Sequence, residues 1–393
     1  MTTYIFLPPP GFGHVNPTLA IAHELVQRGH EVIYYLPEPF QEAVQATGAL
    51  FRPYDSKLMK NLHPTVMVEE CRHVLGQVLD HIAAERPDVI VYEPYLWARI
   101  VIEVLKVPAV ALHSSYAINE HFNLFSLFNQ HVPGMQEIWA QIKAGLAEIC
   151  TTYHVAPFDL QSAALQVEPL NIVFLPRAFQ PRADTFDERY LFVGPSILPH
   201  IRPIDFPLDR LDESRPLLYI SLGTVWNDRL AFFQQCFEAF GASDYQVVLS
   251  HGRRIDPAML GPIPNNFLVC AQAPQLSLLS RARVFVTHGG MNSVMESLFS
   301  GVPLVVLPQM GDQFLTAQEV TQRGLGIALD QETVNATTLR ETVGRVAREP
   351  SWRSATSQMQ RIAQEAGGYQ RATDAILQFA EIRRNTKQGE IFS

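Results

Sequence analysis

Cysteine is scarce in this chain. Only four of its 393 residues are cysteine, namely Cys71, Cys150, Cys236 and Cys270. None forms a Cys-x-x-Cys pair, so neither a disulfide framework nor a thiolate metal site is expected. Scattered, buried thiols in a reduced compartment fit better. Positive charge is also short, with 30 Lys and Arg against 39 Asp and Glu and a net charge of −9. Nucleic-acid binders carry a basic field, so that partner class is set aside, although backbone amides can still hold a phosphate locally. No run approaches the ~18 apolar residues of a spanning helix, which argues against a membrane partner. The amino terminus lacks the basic region of a signal peptide, and a cytoplasmic location is the expectation. Hydrolase and dehydrogenase signatures are missing too. No Gly-x-Ser-x-Gly elbow occurs, and Gly11-x-Gly13 is followed by Asn16 where a dinucleotide fingerprint needs its third glycine. The histidines show no zinc-ligand spacing with cysteines or carboxylates, so no metal and no resident cofactor are expected.

What the chain does have is apolar residues, 47% of it against 18% charged, which suits a protein with large cores. Its length predicts two or three domains. Short β-rich runs alternate with helical patterns, the signature of an α/β fold built from βαβ units with parallel sheets. In the first half, strands are expected at 4–7, 31–36, 89–92, 109–112 and 172–175. A second series is expected at 217–222, 246–249, 267–270, 284–287, 304–307 and 326–329. A helix should open after the first strand, with Asn16 as N-cap, Pro17 at the first helical position and Gly29 beyond its end. Both halves begin alike: apolar strand, glycine-containing loop, helix, strand. Between them, the stretch 198–216 carries Pro199, Pro203, Pro207 and Pro216 and reads as an extended linker. The expected division is therefore a first domain at 1–200, a linker at 201–215, a second domain at 216–367 and a terminal helix and tail at 368–393 that packs back on the first domain. Ligands of open α/β sheets lie beyond the carboxyl ends of the strands, so the cleft between two such domains is the expected active site.

The most informative stretch is 288–313. Strand 284–287 runs into His288-Gly289-Gly290-Met291-Asn292-Ser293 and then a helix. Glycines let a diphosphate approach the backbone, and the positive helix end favours the anion. Asn292, Ser293 and His288 can add side-chain hydrogen bonds. Glu296, one turn further on, could hold two ribose hydroxyls. Ser-x-x-Glu at a helix start is equally a capping box, and from the residues alone the two readings stand level. The next unit leads into Pro308-Gln309-Met310-Gly311-Asp312-Gln313. Asp312 taken singly is a plain N-cap, yet with Gln313 it also offers a carboxylate and an amide to a polyhydroxyl sugar.

The stretch 272–313, QAPQLSLLSRARVFVTHGGMNSVMESLFSGVPLVVLPQMGDQ, resembles the nucleotide-sugar signature of family-1 inverting glycosyltransferases. GFGHVNP (11–17), LNIVFLPRAFQ (170–180), FVGPS (192–196) and ISLGT (220–224) are similar to the bacterial macrolide and flavonoid glucosyltransferase branch, so the resemblance covers almost the whole chain. It implies the GT-B fold, two Rossmann-like domains facing across a cleft. The carboxy-terminal domain would bind a nucleotide-sugar donor, UDP-glucose as co-substrate, and the amino-terminal domain a small-molecule acceptor. By matched position it implies His288 and the Gly290 loop at the α-phosphate, Asn292 and Ser293 at the β-phosphate and Glu296 at the ribose. Asp312 and Gln313 would meet the sugar, with glutamine typical of glucose users. Gln275 would lie near the ribose, the Ala273 backbone at the uracil, and Thr224 at a phosphate-side loop. One departure stands out: many relatives have a tryptophan stacking on uracil where this chain has Gln272.

Transfer with inversion needs a base for the acceptor hydroxyl, and an imidazole suits that role. His14 lies just past the first strand, and the resemblance marks it as the family's catalytic histidine. A base is commonly oriented by a carboxylate on its other nitrogen. The resemblance places an aspartate after a first-domain strand, and Glu93 stands there. The irregular segments 59–67 and 116–139, rich in large apolar residues, could line an apolar acceptor pocket. Met59, Met67, Trp97, Tyr116, Phe122 and Phe125 are the expected acceptor residues, with ordinary core packing as the competing reading. Two other functions share the architecture: a catalytically silent binding or activator protein, and a UDP-sugar epimerase.

Overall fold

A computed structural model of the chain describes residues 1–60, 66–124, 135–198, 204–224 and 227–391. It divides into two compact units, Met1–Ile201 with Ala366–Ser393, and Arg202–Glu365. The expected acceptor residue Phe125 and part of the expected linker fall outside the described residues.

In the first unit, the strands are β1 (Thr3–Leu7), β2 (Glu31–Leu36), β3 (Leu50–Pro53), β4 (Val89–Tyr92), β5 (Ala109–His113), β6 (Asn171–Val173) and β7 (Tyr190–Phe192). They form one sheet in the order β3-β2-β1-β4-β5-β6-β7, with every neighbouring pair parallel. Successive side chains on a strand point to opposite faces, so each strand feeds two cores. On β1, Ile5 and Leu7 join one apolar cluster and Tyr4 and Phe6 join the other. The second cluster is completed from the far end of the chain, by Ala372, Ile376, Phe379 and Ala380 of the helix Gly368–Ile391.

In the second unit, β8 (Leu217–Ser221), β9 (Gln246–Ser250), β10 (Phe267–Cys270), β11 (Ala282–Thr287), β12 (Leu304–Val306) and β13 (Gly326–Ala328) form an all-parallel sheet ordered β10-β9-β8-β11-β12-β13. Strand order reverses between β1 and β4 in one sheet and between β8 and β11 in the other. These are the topological switch points where open α/β sheets leave a crevice at their carboxyl ends.

The structure moves one helix boundary. The first helix is Phe12–Gln27 with Gly11 as N-cap, a turn ahead of the expected start, and Pro17 lies inside it. The amides of His14 and Val15 both reach the Gly11 carbonyl at 2.9 Å. An interior proline crowds the carbonyl four residues back. That residue is Gly13, on the first turn of the helix. Cys71, Cys150 and Cys236 are buried and all four thiols are free. Among the described residues, no helix is long and apolar enough to cross a membrane.

Candidate active site

At the switch point of the first unit, three side chains converge from three elements. His14 is on the first turn of the helix after β1, Glu93 follows β4 and Ser114 follows β5. His14 Nδ1 lies 2.9 Å from Glu93 Oε2, Ser114 Oγ donates to Glu93 Oε1 at 2.7 Å, and Ser114 Oγ is 2.9 Å from His14 Nδ1. Burial by itself pushes the Glu93 carboxyl up. The charge of His14 and the hydrogen bonds from His14 and Ser114, with His113 nearby, outweigh it and bring the carboxyl below its usual range. An ionised Glu93 against Nδ1 leaves the imidazole's second nitrogen, Nε2, as the proton-accepting atom. Glutamate therefore reaches the ring despite its extra methylene relative to aspartate. Ser114, which sequence reasoning did not single out, holds the carboxylate's other oxygen.

The expected acceptor residues have different fates. Trp97 is a correction: it is fully buried on the inner side of the helix Leu96–Leu105, edge-to-face with Tyr54 at 5.7 Å, and belongs to the core. Met67 is partly buried against the same core, whereas Met59 is exposed. Tyr116 is buried, stacked on Phe179 at 6.2 Å and edge-to-face with the half-buried Phe122 at 6.0 Å.

The second unit gathers the other residues at its strand ends. His288 follows β11, and its ring is gripped by two glycines. A Cβ on Gly223 would come within 2.6 Å of the ring and one on Gly290 within 2.4 Å. Burial lowers its pKa from 6.5 to about 4, so the imidazole is neutral at neutral pH and can still donate one hydrogen bond. Gly289, with φ +85° and its Cα packed on Val306, turns the chain from β11 into the helix Met291–Phe299. The N-cap of that helix is Gly290, without a side-chain cap. Ser293 is thus the third helical residue, and the capping-box reading of Ser293 and Glu296 falls. Glu296 is buried instead, its Oε2 accepting from Gln275 Nε2 at 2.7 Å, and the same amide reaches Ser293 Oγ at 3.3 Å. Asn292 stands beside Ser293 on the first turn.

After β12, the N-cap is Gly311 at φ +55°, which makes Asp312 the first residue of the helix Asp312–Gln322 and removes its plain N-cap reading. Gln313 Oε1 accepts from the amides of Gln309 at 2.9 Å and Met310 at 3.3 Å, which fixes the loop on its own helix. Thr224 is exposed after β8. Ala273 is buried, and Gln272 accepts from Arg253 at 2.7 Å.

The chain is similar over most of its length to enzymes of one kind. Residues 234–367 match the model of the Erythromycin biosynthesis protein CIII-like, C-terminal domain. NDP-glycosyltransferase YjiC of Bacillus subtilis (strain 168) is 38% identical over 382 residues, covering 94% of this chain and 95% of the relative. The chain belongs to the nucleotide-sugar-dependent glycosyltransferases. Demethyllactenocin mycarosyltransferase of Streptomyces fradiae is 32% identical over 393 residues, covering 93% of this glycosyltransferase and 84% of the relative. The solved structure of CalG4, the calicheamicin glycosyltransferase, superposes with a TM-score of 0.81 at 32% identity, over 96% of this chain and 98% of that one. The fold of the glycosyltransferase is GT-B, with two Rossmann-like units.

Proposed function

We propose that this glycosyltransferase moves glucose from UDP-glucose to a hydroxyl of a small apolar or aromatic acceptor, such as a flavonoid, another phenolic or a macrolide, with inversion at C1. His14 Nε2 takes the proton of the acceptor hydroxyl. The oxygen forms its bond to C1 as the bond from C1 to the β-phosphate oxygen breaks, UDP leaves with that electron pair, and an α-linked donor gives a β-glucoside. Glu93 holds the tautomer and stabilises the imidazolium that forms, and Ser114 keeps Glu93 in line. The observation that carries the reading is the His14–Glu93–Ser114 arrangement, with 2.9 Å between base and carboxylate.

The donor side supports the reading in order. Neutral His288 and the amides at the start of the helix Met291–Phe299 suit a diphosphate, with Asn292, Ser293 and the exposed Thr224 adding hydrogen bonds. Buried Glu296, with Gln275 bound to it, suits ribose hydroxyls. Asp312 and the Nε2 amide of Gln313 suit hexose hydroxyls. The family resemblance supports glucose through Gln313. Charge stabilisation in this reading comes from protein groups, with no metal.

Incubation of the protein with UDP-glucose and a panel of phenolics and macrolides, followed by mass spectrometry and proton NMR, tests the proposal. A β-hexosylated product with stoichiometric UDP is expected. His14→Ala should lower kcat by roughly 10²–10⁴-fold while circular dichroism shows the fold retained, and Glu93→Gln should lower it as well. An unchanged kcat in Glu93→Gln sinks the orienting role. Absence of product and UDP across the panel rejects the glucose-donor reading, and donor epimerised without transfer points to the epimerase.

A further inference from the structure

Across the second sheet, the strand ends follow one another in the order β10, β9, β8, β11, β12. They carry, in that order, Gln272, Arg253, Thr224, His288 and Asp312. Neighbouring strands lie about 4.7–4.9 Å apart, so the row spans roughly 19 Å. If the diphosphate lies at His288 and the sugar at Asp312, the nucleoside runs the other way, over β8 towards β9 and β10. Arg253 and Gln272 stand at that end. Arg253 Nη2 donates to Gln272 Oε1 at 2.7 Å. The loops that present them are laced together: the amides of His251 and Gly252 donate to the carbonyls of Cys270 at 2.9 Å and Ala271 at 3.1 Å. Gly252, at φ +77°, lies so close to buried Asn227 that a Cβ would come within 1.9 Å of its amide nitrogen, so only glycine fits the turn before Arg253.

The pair has a defined hydrogen-bonding sign. A guanidinium offers only donors. Gln272 gives one lone pair of its amide oxygen to Arg253 and keeps its NH₂ as a donor. The pair therefore offers a base more donors than acceptors, and those of Arg253 sit on a planar cation that can lie against a ring. Uracil and thymine present carbonyl oxygens to such a surface. Cytosine replaces one of them with an amino donor, and adenine has an amino donor flanked by ring nitrogens in place of carbonyl oxygens.

Resting on the donor-site reading above, we infer that Arg253, held by Gln272, is the nucleobase-selecting residue of this enzyme, favouring the keto pyrimidines uracil and thymine. The side chains are exposed and half-buried, respectively, so their removal leaves the core intact.

Calorimetric titration of UDP, dTDP, CDP and ADP into the full-length wild type, Arg253→Ala and Gln272→Ala, with a melting curve for each variant, tests the assignment. The wild type should bind UDP and dTDP about tenfold or more tighter than CDP and ADP. Arg253→Ala should lose about tenfold for UDP and dTDP and little for ADP, so that the preference collapses. Gln272→Ala should show a smaller loss in the same direction. If Arg253→Ala keeps the wild-type UDP-to-ADP ratio, whether affinities hold or fall together, the assignment is overturned while the donor site stands. If the wild type binds none of the four, the donor-site reading falls and the assignment with it.

Discussion

Burial, rather than any neighbouring charge, sets the protonation of His288. Its folded pKa of about 4 lies below the ordinary 6.5, so between those values the unfolded chain binds more protons than the folded one. The stability owed to neutral His288 is therefore complete above about pH 6.5 and is lost as the pH falls towards 4. Melting curves between pH 7.5 and pH 4.5 should show a decline that is shallower in His288→Gln than in the wild type. Equal slopes would remove His288 from the acid response. Glu93 acts lower on the scale: its folded pKa is depressed, so its contribution is present above the ordinary carboxylate value and is lost only as pH falls below it. At this scale the pairing of His14 with Glu93 was legible through the family resemblance, which matched both positions. The sequence was silent on Ser114, a residue type found everywhere, whose role rests on a contact across 100 positions with His14. It misread Trp97 because an aromatic that lines a pocket and one that fills a core look alike until burial is known.

At the scale of elements, turns matter more than strands. Gly289 has both a positive φ and a Cβ position 2.6 Å from Val306 Cγ1. Gly289→Ala should cost about 1–3 kcal/mol in chemical denaturation and weaken donor binding, because it displaces the loop that carries His288. A variant as stable as the wild type would show that the turn relaxes freely. Most strands were readable because parallel strands buried on both faces are continuous apolar runs. The two that sequence reasoning missed, β3 and β7, are the edges of their sheet. β3 contains Arg52 and Pro53 and is largely accessible, so no apolar run marks it. Helix starts failed for a related reason. Asn16-Pro17, Ser293-x-x-Glu296 and Asp312 all satisfy local start signals, yet Gly11, Gly290 and Gly311 are the N-caps. In each case the chain turns at a glycine close to the strand end, which leaves the polar side chains for something other than capping.

For the molecule as a whole, the chain leaves its first unit near residue 201 and returns to it at 366. The second unit is thus one contiguous segment, and the first is two. Residues 202–365 expressed alone should melt cooperatively and bind UDP. Residues 1–201 alone should fail to fold, and circular dichroism should show recovery when the segment 366–393 is restored. A native-like melt of 1–201 without it would contradict this. The two-fold repetition of strand, glycine loop and helix was legible from apolar periodicity. The return of the last helix was expected, but the residues that seat it were not named, because Ala372, Ile376 and Phe379 mark an amphipathic face without naming the core that receives it.

That return has a consequence for synthesis. A ribosome delivers the chain from its amino end, and domains fold as units once their residues have emerged. The second unit has all its residues by position 365, while the first unit's core still lacks Ala372, Ile376, Phe379 and Ala380. The unit encoded second is the one that can finish first. The amino-terminal unit carries an open apolar face until residues 372–380 have emerged, which makes it the part of the nascent chain with most need of a chaperone.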